Sequence, residues 1–316
     1  MFKNCDMLYI EVNMKKVVYN YDNLKDSDIN KVSKRIKAII TNDKDEILLA
    51  CNNSNYHLPG GHIEGKEDNL ECLKRELKEE LGADVSLNNT NHIFTILYYN
   101  KDYPEKGINT KTESAYYEVN EEVILNNNRT HFDDNERKGG FHTRYVKKDE
   151  ILSFLKNSFA HATNEAVPRD TLLVLKEYLN KDITFSYLKD EQKEVVKLIN
   201  KEFNYDKDYK DFKLLDNQKV LLLKDKDKVI GVTIITILND PIKNKKTYYL
   251  DYVCVDDDYQ NRGLATKMFR EIERDARENN ISKIKLTSSK KREFARQLYL
   301  REGMTIKDTD VFEKEL

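Results

Sequence analysis

At 316 residues the chain exceeds what one core ordinarily organises, so two domains are expected. Lysine and arginine (54) nearly balance aspartate and glutamate (56), and a net charge of -2 leaves no polyanion-binding bias, so no nucleic-acid partner is expected. No apolar run approaches the ~20 residues of a membrane span, residues 1–20 carry charges in place of a signal-peptide core, and Cys5, Cys51, Cys72 and Cys254 lack paired spacing, which together predict a cytoplasmic chain with no membrane partner.

Along the first half, strand-like segments fall at Lys15–Tyr19, Arg35–Thr41 and Glu46–Ala50. The last two are separated by the turn-prone Asn42-Asp43-Lys44-Asp45 and read as a hairpin. A loop with Pro59, Gly60 and Gly61 leads to a helix over Leu70–Leu81, with Gly82 as its stop signal. Strands follow at Ile93–Tyr99, Glu113–Val119 and Phe141–Val146. The apolar-poor stretch Asn120–Gly140 reads as a mobile surface loop. A helix containing Leu172, Leu173, Leu175, Tyr178 and Leu179 closes this half, and the boundary is placed at Lys181-Asp182, giving domains of 1–181 and 182–316.

The second half reads as strand (Ile183–Leu188), helix (Glu191–Phe203), strands at Lys219–Lys224, Val229–Leu238 and Tyr248–Val255, helix (Leu264–Asn279), strand (Lys283–Thr287), helix (Arg292–Glu302) and a terminal strand (Thr309–Leu316). Neither half repeats the other.

Between Gly61 and Gly82 lie Glu67, Arg75-Glu76 and Glu79-Glu80. On a helix Glu76, Glu79 and Glu80 stand at i, i+3 and i+4 and share a face, while Leu70, Leu73, Leu77 and Leu81 form a separate apolar stripe. Three like charges at contact spacing are unfavourable unless a cation sits among them, and hard carboxylate oxygens suit magnesium or manganese. An ordinary solvated face is the alternative. With the glycines, Glu67 and Arg75 in register, the segment resembles the Nudix box at every fixed position, Ala83 being smaller than usual at the last apolar one.

The resemblance covers about the first 180 residues. It implies a mixed-sheet α/β/α sandwich and hydrolysis of a nucleoside diphosphate linked to another group, a small-molecule nucleotide conjugate. By position, Glu76, Glu79 and Glu80 would be catalytic metal ligands with the Gly60 carbonyl nearby, and Glu67 and Arg75 a bracing ion pair. Whether one of the three glutamates or a later acid such as Glu136 acts as base stays open. Tyr98 and Tyr99 are placed similarly to the tyrosine of dinucleoside-polyphosphate hydrolases, yet also read as plain strand residues.

In the second half, Val253-Cys254-Val255 end a buried strand, and a turn leads through Gln260, Asn261, Arg262 and Gly263 into Leu264, Ala265 and a helix. Free backbone N–H groups at such a helix start favour a phosphate, Gly263 permits close approach, and Arg262 adds charge. The alternative is an ordinary strand-to-helix turn. Leu250–Met268 resembles the acetyl-CoA-binding core of GNAT N-acetyltransferases. Ala295, Leu298, Tyr299, Gly303 and Met304 resemble the following helix and its exit, and Phe312–Leu316 the closing strand. Arg292 and Met304 depart from common family residues.

This second resemblance covers roughly residues 183–316 and implies a mixed-sheet fold that transfers acetyl from acetyl-CoA to an unnamed amine. Asp251 is the candidate base, or else a plain surface strand residue; Tyr299 matches the family position of the acid for the departing thiolate, or else only packs in the core. The expected whole is a bifunctional α/β (α+β) enzyme, Nudix pyrophosphohydrolase followed by N-acetyltransferase. The rival is an acetyltransferase regulated by a nucleotide-sensing, non-hydrolytic Nudix domain.

Overall fold

The computed structural model describes residues 16–308 together with 312 and 314, and the chain divides into two units, residues 1–179 and 180–316. Of the expected terminal strand, only Phe312 and Lys314 are among the described residues.

In the first unit, β1 (Lys16–Asn20), β2 (Lys31–Ile40), β5 (Thr90–Asn100) and β6 (Thr110–Val119) form a mixed sheet in the order β1-β5-β6-β2. A second, antiparallel sheet runs β4 (Asn55–His57), β3 (Glu46–Asn52), β7 (His142–Lys147). Helices α1 (Asn69–Leu81), α2 (Asp134–Gly139), α3 (Ile151–Ser158) and α4 (Ala166–Leu179) complete it. Alternation along β2 sends Ile36, Ala38 and Ile40 to a core with Cys72, Leu73, Leu77 and Leu81 of α1. Ile39 faces the opposite core, with Ile47, Leu49, Ile96, Leu155 and Leu175. The sheets are thus covered from both sides, a mixed α/β sandwich.

The expected hairpin is not formed as a ladder. Asn42–Asp45 does turn the chain, but β2 and β3 lie in different sheets and touch only at the bridge Thr41↔Ile47. The physical reason is competition for the edge of β2, which the Pro59–Gly61 loop occupies: Ile36 and Ala38 N–H donate to the Gly61 and Pro59 carbonyls, each at 2.9 Å. The stretch 120–140 also differs from a plain loop. Asp133 and Glu136 form a capping box on α2, and Val123 and Leu125 pack on the α1-side core. In α1 the apolar stripe is Cys72, Leu73, Leu77 and Leu81, and Leu70 is exposed.

In the second unit one five-stranded sheet runs β12 (Ile281–Leu286), β11 (Lys245–Val255), β10 (Lys228–Asp240), β9 (Gln218–Asp225), β8 (Ile183–Tyr187). It is antiparallel except for the parallel β11–β12 pair. Strand β9 alternates, Val220 and Leu222 packing with α5 (Gln192–Phe203) and Leu221 and Leu223 with α6 (Leu264–Glu278). A final helix, α7 (Glu293–Arg301), adds Leu298 and Tyr299 to the α6-side core.

Candidate functional sites

The first site is built where the loop along β2 meets α1. Helix α1 starts at Asp68, whose carboxylate accepts from the Leu70 and Glu71 N–H groups, and ends at Gly82 in the left-handed region. Gly61 packs so tightly on the helix that a Cβ there would lie 2.2 Å from Glu76 Oε1. Gly60, at φ +117°, donates its N–H to Glu80 Oε2 at 2.7 Å.

Arg75 braces the same geometry. Its Nε and Nη2 grip Glu67 at 3.1 and 2.7 Å, its Nη1 reaches Glu76 and Glu79 at 3.0 Å each, and Nη2 donates to the His62 carbonyl at 2.8 Å. The bidentate Arg75 contact holds the Glu67 carboxyl down at about 2.

The three glutamates are not equivalent. Glu76 and Glu80 are buried, at 9% and 5% exposure, whereas the Glu79 side chain is 41% exposed. Burial pushes the carboxyls of Glu76 and Glu80 up, opposed by Arg75 at Glu76 and by Lys37 at Glu80. Lys37 was not singled out from the sequence; it interrupts an apolar strand, and only folding shows its ammonium donating to the Gly60 carbonyl. His57 lies in the field of Lys37 and Arg35, and burial with those charges lowers its imidazole to about 3. Burial also raises the Glu136 carboxyl on α2, which feels Glu79 and Lys37.

Among the described residues no three acidic, thiol or imidazole groups meet in metal-ligating geometry. Arg75 draws Glu76 and Glu79 to itself, and Glu80 bonds the Gly60 N–H. The donor chemistry nevertheless fits a hard divalent cation: buried carboxylates and a backbone carbonyl, already turned toward a cationic group.

Tyr98 and Tyr99 are occupied elsewhere. The Tyr98 hydroxyl donates to Asp170 Oδ1 at 2.6 Å and its ring stacks on Tyr19 at 4.7 Å, while the Tyr99 hydroxyl donates to Asp26 at 2.8 Å.

In the second unit β11 and β12 part company after the Leu250↔Leu286 pair, and β11 continues to Val255 alongside β10. A register shift between β10 and β11 coincides with Tyr252 in the left-handed region, φ +52°. Asp251, Val253, Cys254 and Val255 therefore stand on a diverging strand end. The turn follows directly: Gln260, Asn261 and Arg262, then Gly263 at φ +79°, with α6 starting at Leu264 and Ala265 and no side chain capping it. Arg262 donates to the Asp258 carbonyl at 3.1 Å and lies over the Tyr259 ring.

Burial raises the Asp251 carboxyl and the Tyr299 hydroxyl. Beside them the sequence left unnoticed an aromatic group, Phe203, Tyr205 and Tyr252, with the Arg292 guanidinium over Phe203 at 4.7 Å. Glu202 was also missed. Its side chain is 8% exposed, Oε1 has no hydrogen-bond partner among the described residues, and burial and Asp257 raise its carboxyl.

Comparison with known families finds a match in each half of the chain. Residues 33–170 match the NUDIX domain, and residues 183–304 match the Acetyltransferase (GNAT) family. The chain carries a Nudix domain followed by a GNAT acetyltransferase domain. Among solved structures, an aminoglycoside acetyltransferase from an uncultured soil metagenomic sample is 16% identical, covering 44% of this chain and 98% of its own, with a TM-score of 0.39. A ribosomal-protein-alanine N-acetyltransferase from Brucella melitensis biovar Abortus 2308 is 19% identical over 42% of this chain and 99% of its own, TM-score 0.38. No curated protein matches significantly. Among the described residues no helix is long and apolar enough to cross a membrane.

Proposed function

We propose that the chain is a bifunctional enzyme: its Nudix domain, residues 1–181, hydrolyses a nucleoside-diphosphate-linked small molecule, and its GNAT domain, residues 182–316, moves acetyl from acetyl-CoA to an amine. The observation that carries the first half is the burial of Glu76 and Glu80 against the Gly60–Gly61 loop. A module that merely bound nucleotide would have no use for carboxylates held there at such electrostatic cost.

The Gly60 carbonyl with Glu76, Glu79 and Glu80 would hold Mg2+ or Mn2+, which supplies charge neutralisation for a pyrophosphate and acidifies water. Glu67 and Arg75 keep loop and helix in register. Glu136, raised by burial and close enough to feel Glu79, takes the proton of the attacking water.

In the GNAT domain the backbone of Val253–Val255 would hold the pantetheine arm of acetyl-CoA, and the turn Gln260–Ala265 would offer the α6 N–H groups to its pyrophosphate. Asp251 accepts the amine proton. The amine nitrogen bonds the acetyl carbon, the C–S bond breaks, and Tyr299 returns a proton to the thiolate.

The test is incubation with Mg2+ or Mn2+ and a panel of nucleotide conjugates, reading product masses, with Glu79→Gln as control. Metal-dependent cleavage of a phosphoanhydride, lost in the variant, supports the reading; cleavage that persists unchanged in Glu79→Gln sinks it. For the acetyl half, a melting temperature unmoved by millimolar acetyl-CoA counts against it.

A further inference from the structure

Lys37 stands in the middle of β2, flanked by Ile36 and Ala38, both buried in the α1-side core. Period-two alternation puts it on the same strand face as Arg35 and Ile39. A lysine with a flexible four-carbon stem ordinarily carries its charge to water. This one does not: its ammonium donates to the Gly60 carbonyl. Burial and Arg35 lower its ammonium, and the carboxylates of Glu80, Glu76 and Glu136 oppose that shift. The Gly60 peptide is therefore satisfied at both ends by the site, its N–H by Glu80 at 2.7 Å and its carbonyl by Lys37.

That carbonyl, Glu76 and Glu80 belong to the group that fits a divalent cation. One carbonyl position cannot be filled by a metal ion and an ammonium together, because two cations at contact distance repel strongly in a partly buried site. Resting on the Nudix reading, we propose that Lys37 is a resident cation that occupies the metal position of the Nudix loop and is exchanged for the divalent ion. With no metal, Lys37 neutralises the buried glutamates and holds the Gly60–Gly61 loop on β2. When metal enters, Lys37 leaves the Gly60 carbonyl and turns outward beside Arg35.

Two consequences follow for the chain itself. Lys37 competes with metal, so its removal strengthens metal binding. It also compensates the carboxylates when metal is absent, so its removal weakens the metal-free fold more than the metal-loaded one.

The test uses the full chain, with Mn2+ as probe. Free Mn2+ is measured by electron paramagnetic resonance for wild type, Lys37→Met and Lys37→Arg. The expected result is at least tenfold tighter binding in Lys37→Met, about one power of ten, and little change in Lys37→Arg, which keeps the charge. Melting temperature without metal should fall in Lys37→Met, with a larger rise on Mn2+ saturation than in wild type. A measurement on wild type alone does not depend on any variant folding: Mg2+ should increase modification of Lys37 by an amine-directed acylating reagent, read by peptide mass. Equal Mn2+ affinity in wild type and Lys37→Met, or Lys37 modification indifferent to Mg2+ while Mn2+ binds, overturns the exchange and leaves the Nudix reading standing. Absence of Mn2+ binding in both proteins overturns both.

Discussion

Gly61 has no room for a methyl group, since its Cβ would meet Glu76 Oε1 at 2.2 Å. Gly61→Ala must displace either the loop or the carboxylate. Misplacement of about 1 Å at a catalytic group is worth on the order of 100-fold, so kcat/KM for hydrolysis should fall by about that factor while the melting curve stays cooperative; initial rates on the cleaved substrate check it. Asp170 gives a second prediction. Burial raises its carboxyl from the ordinary 3.8 to about 6, although the Tyr98 hydroxyl and Arg169 oppose the shift. The unfolded chain therefore loses this proton at lower pH than the folded one. The associated stability is fully present below the ordinary aspartate value and is lost as pH rises through about 6. Relative to Asp170→Asn, wild type should lose roughly 3 kcal/mol between about pH 4 and pH 8, measured by urea unfolding.

At the scale of elements, Gly82 ends α1 at φ +63°, and a Cβ there would lie 2.0 Å from the Asn126 carbonyl oxygen. Gly82→Ala adds left-handed strain to that clash and should cost at least about 2 kcal/mol, read as a shift in denaturant midpoint. The stop of α1 was legible because a stop glycine acts within a few residues of sequence. The box was legible for the same reason: Gly61, Glu67, Arg75, Glu76, Glu79, Glu80 and Gly82 sit at fixed local offsets. What the sequence hid is non-local. The edge of β2 goes to the Pro59–Gly61 loop rather than to β3, and no local signal distinguishes those partners. Lys37 was passed over because its partner, Gly60, lies far along the chain and is brought to it only by folding. Helix α2 did carry a signal, Asp133 three residues before Glu136, but its low apolar content favoured a loop. Tyr205 and Tyr252 are far apart in sequence, and their rings meet at 6.2 Å only in the fold.

For the whole molecule, each unit has cores of its own: the first packs on both faces of β2, the second on both faces of β9. Residues 1–181 and 182–316, produced separately, should each unfold cooperatively, the first stabilised by Mn2+ and the second by acetyl-CoA, as differential scanning calorimetry would show. The central claim is that one chain carries two independent reactions. It is tested most directly by one mass-resolved assay containing Mg2+, a cleavable nucleotide conjugate, acetyl-CoA and an amine panel, run on wild type, Glu79→Gln and Tyr299→Phe. The account predicts that Glu79→Gln abolishes only phosphoanhydride cleavage and that Tyr299→Phe lowers only acetyl transfer, by about 100-fold for a lost proton donor. Loss of both reactions with either substitution, or of neither, would contradict it.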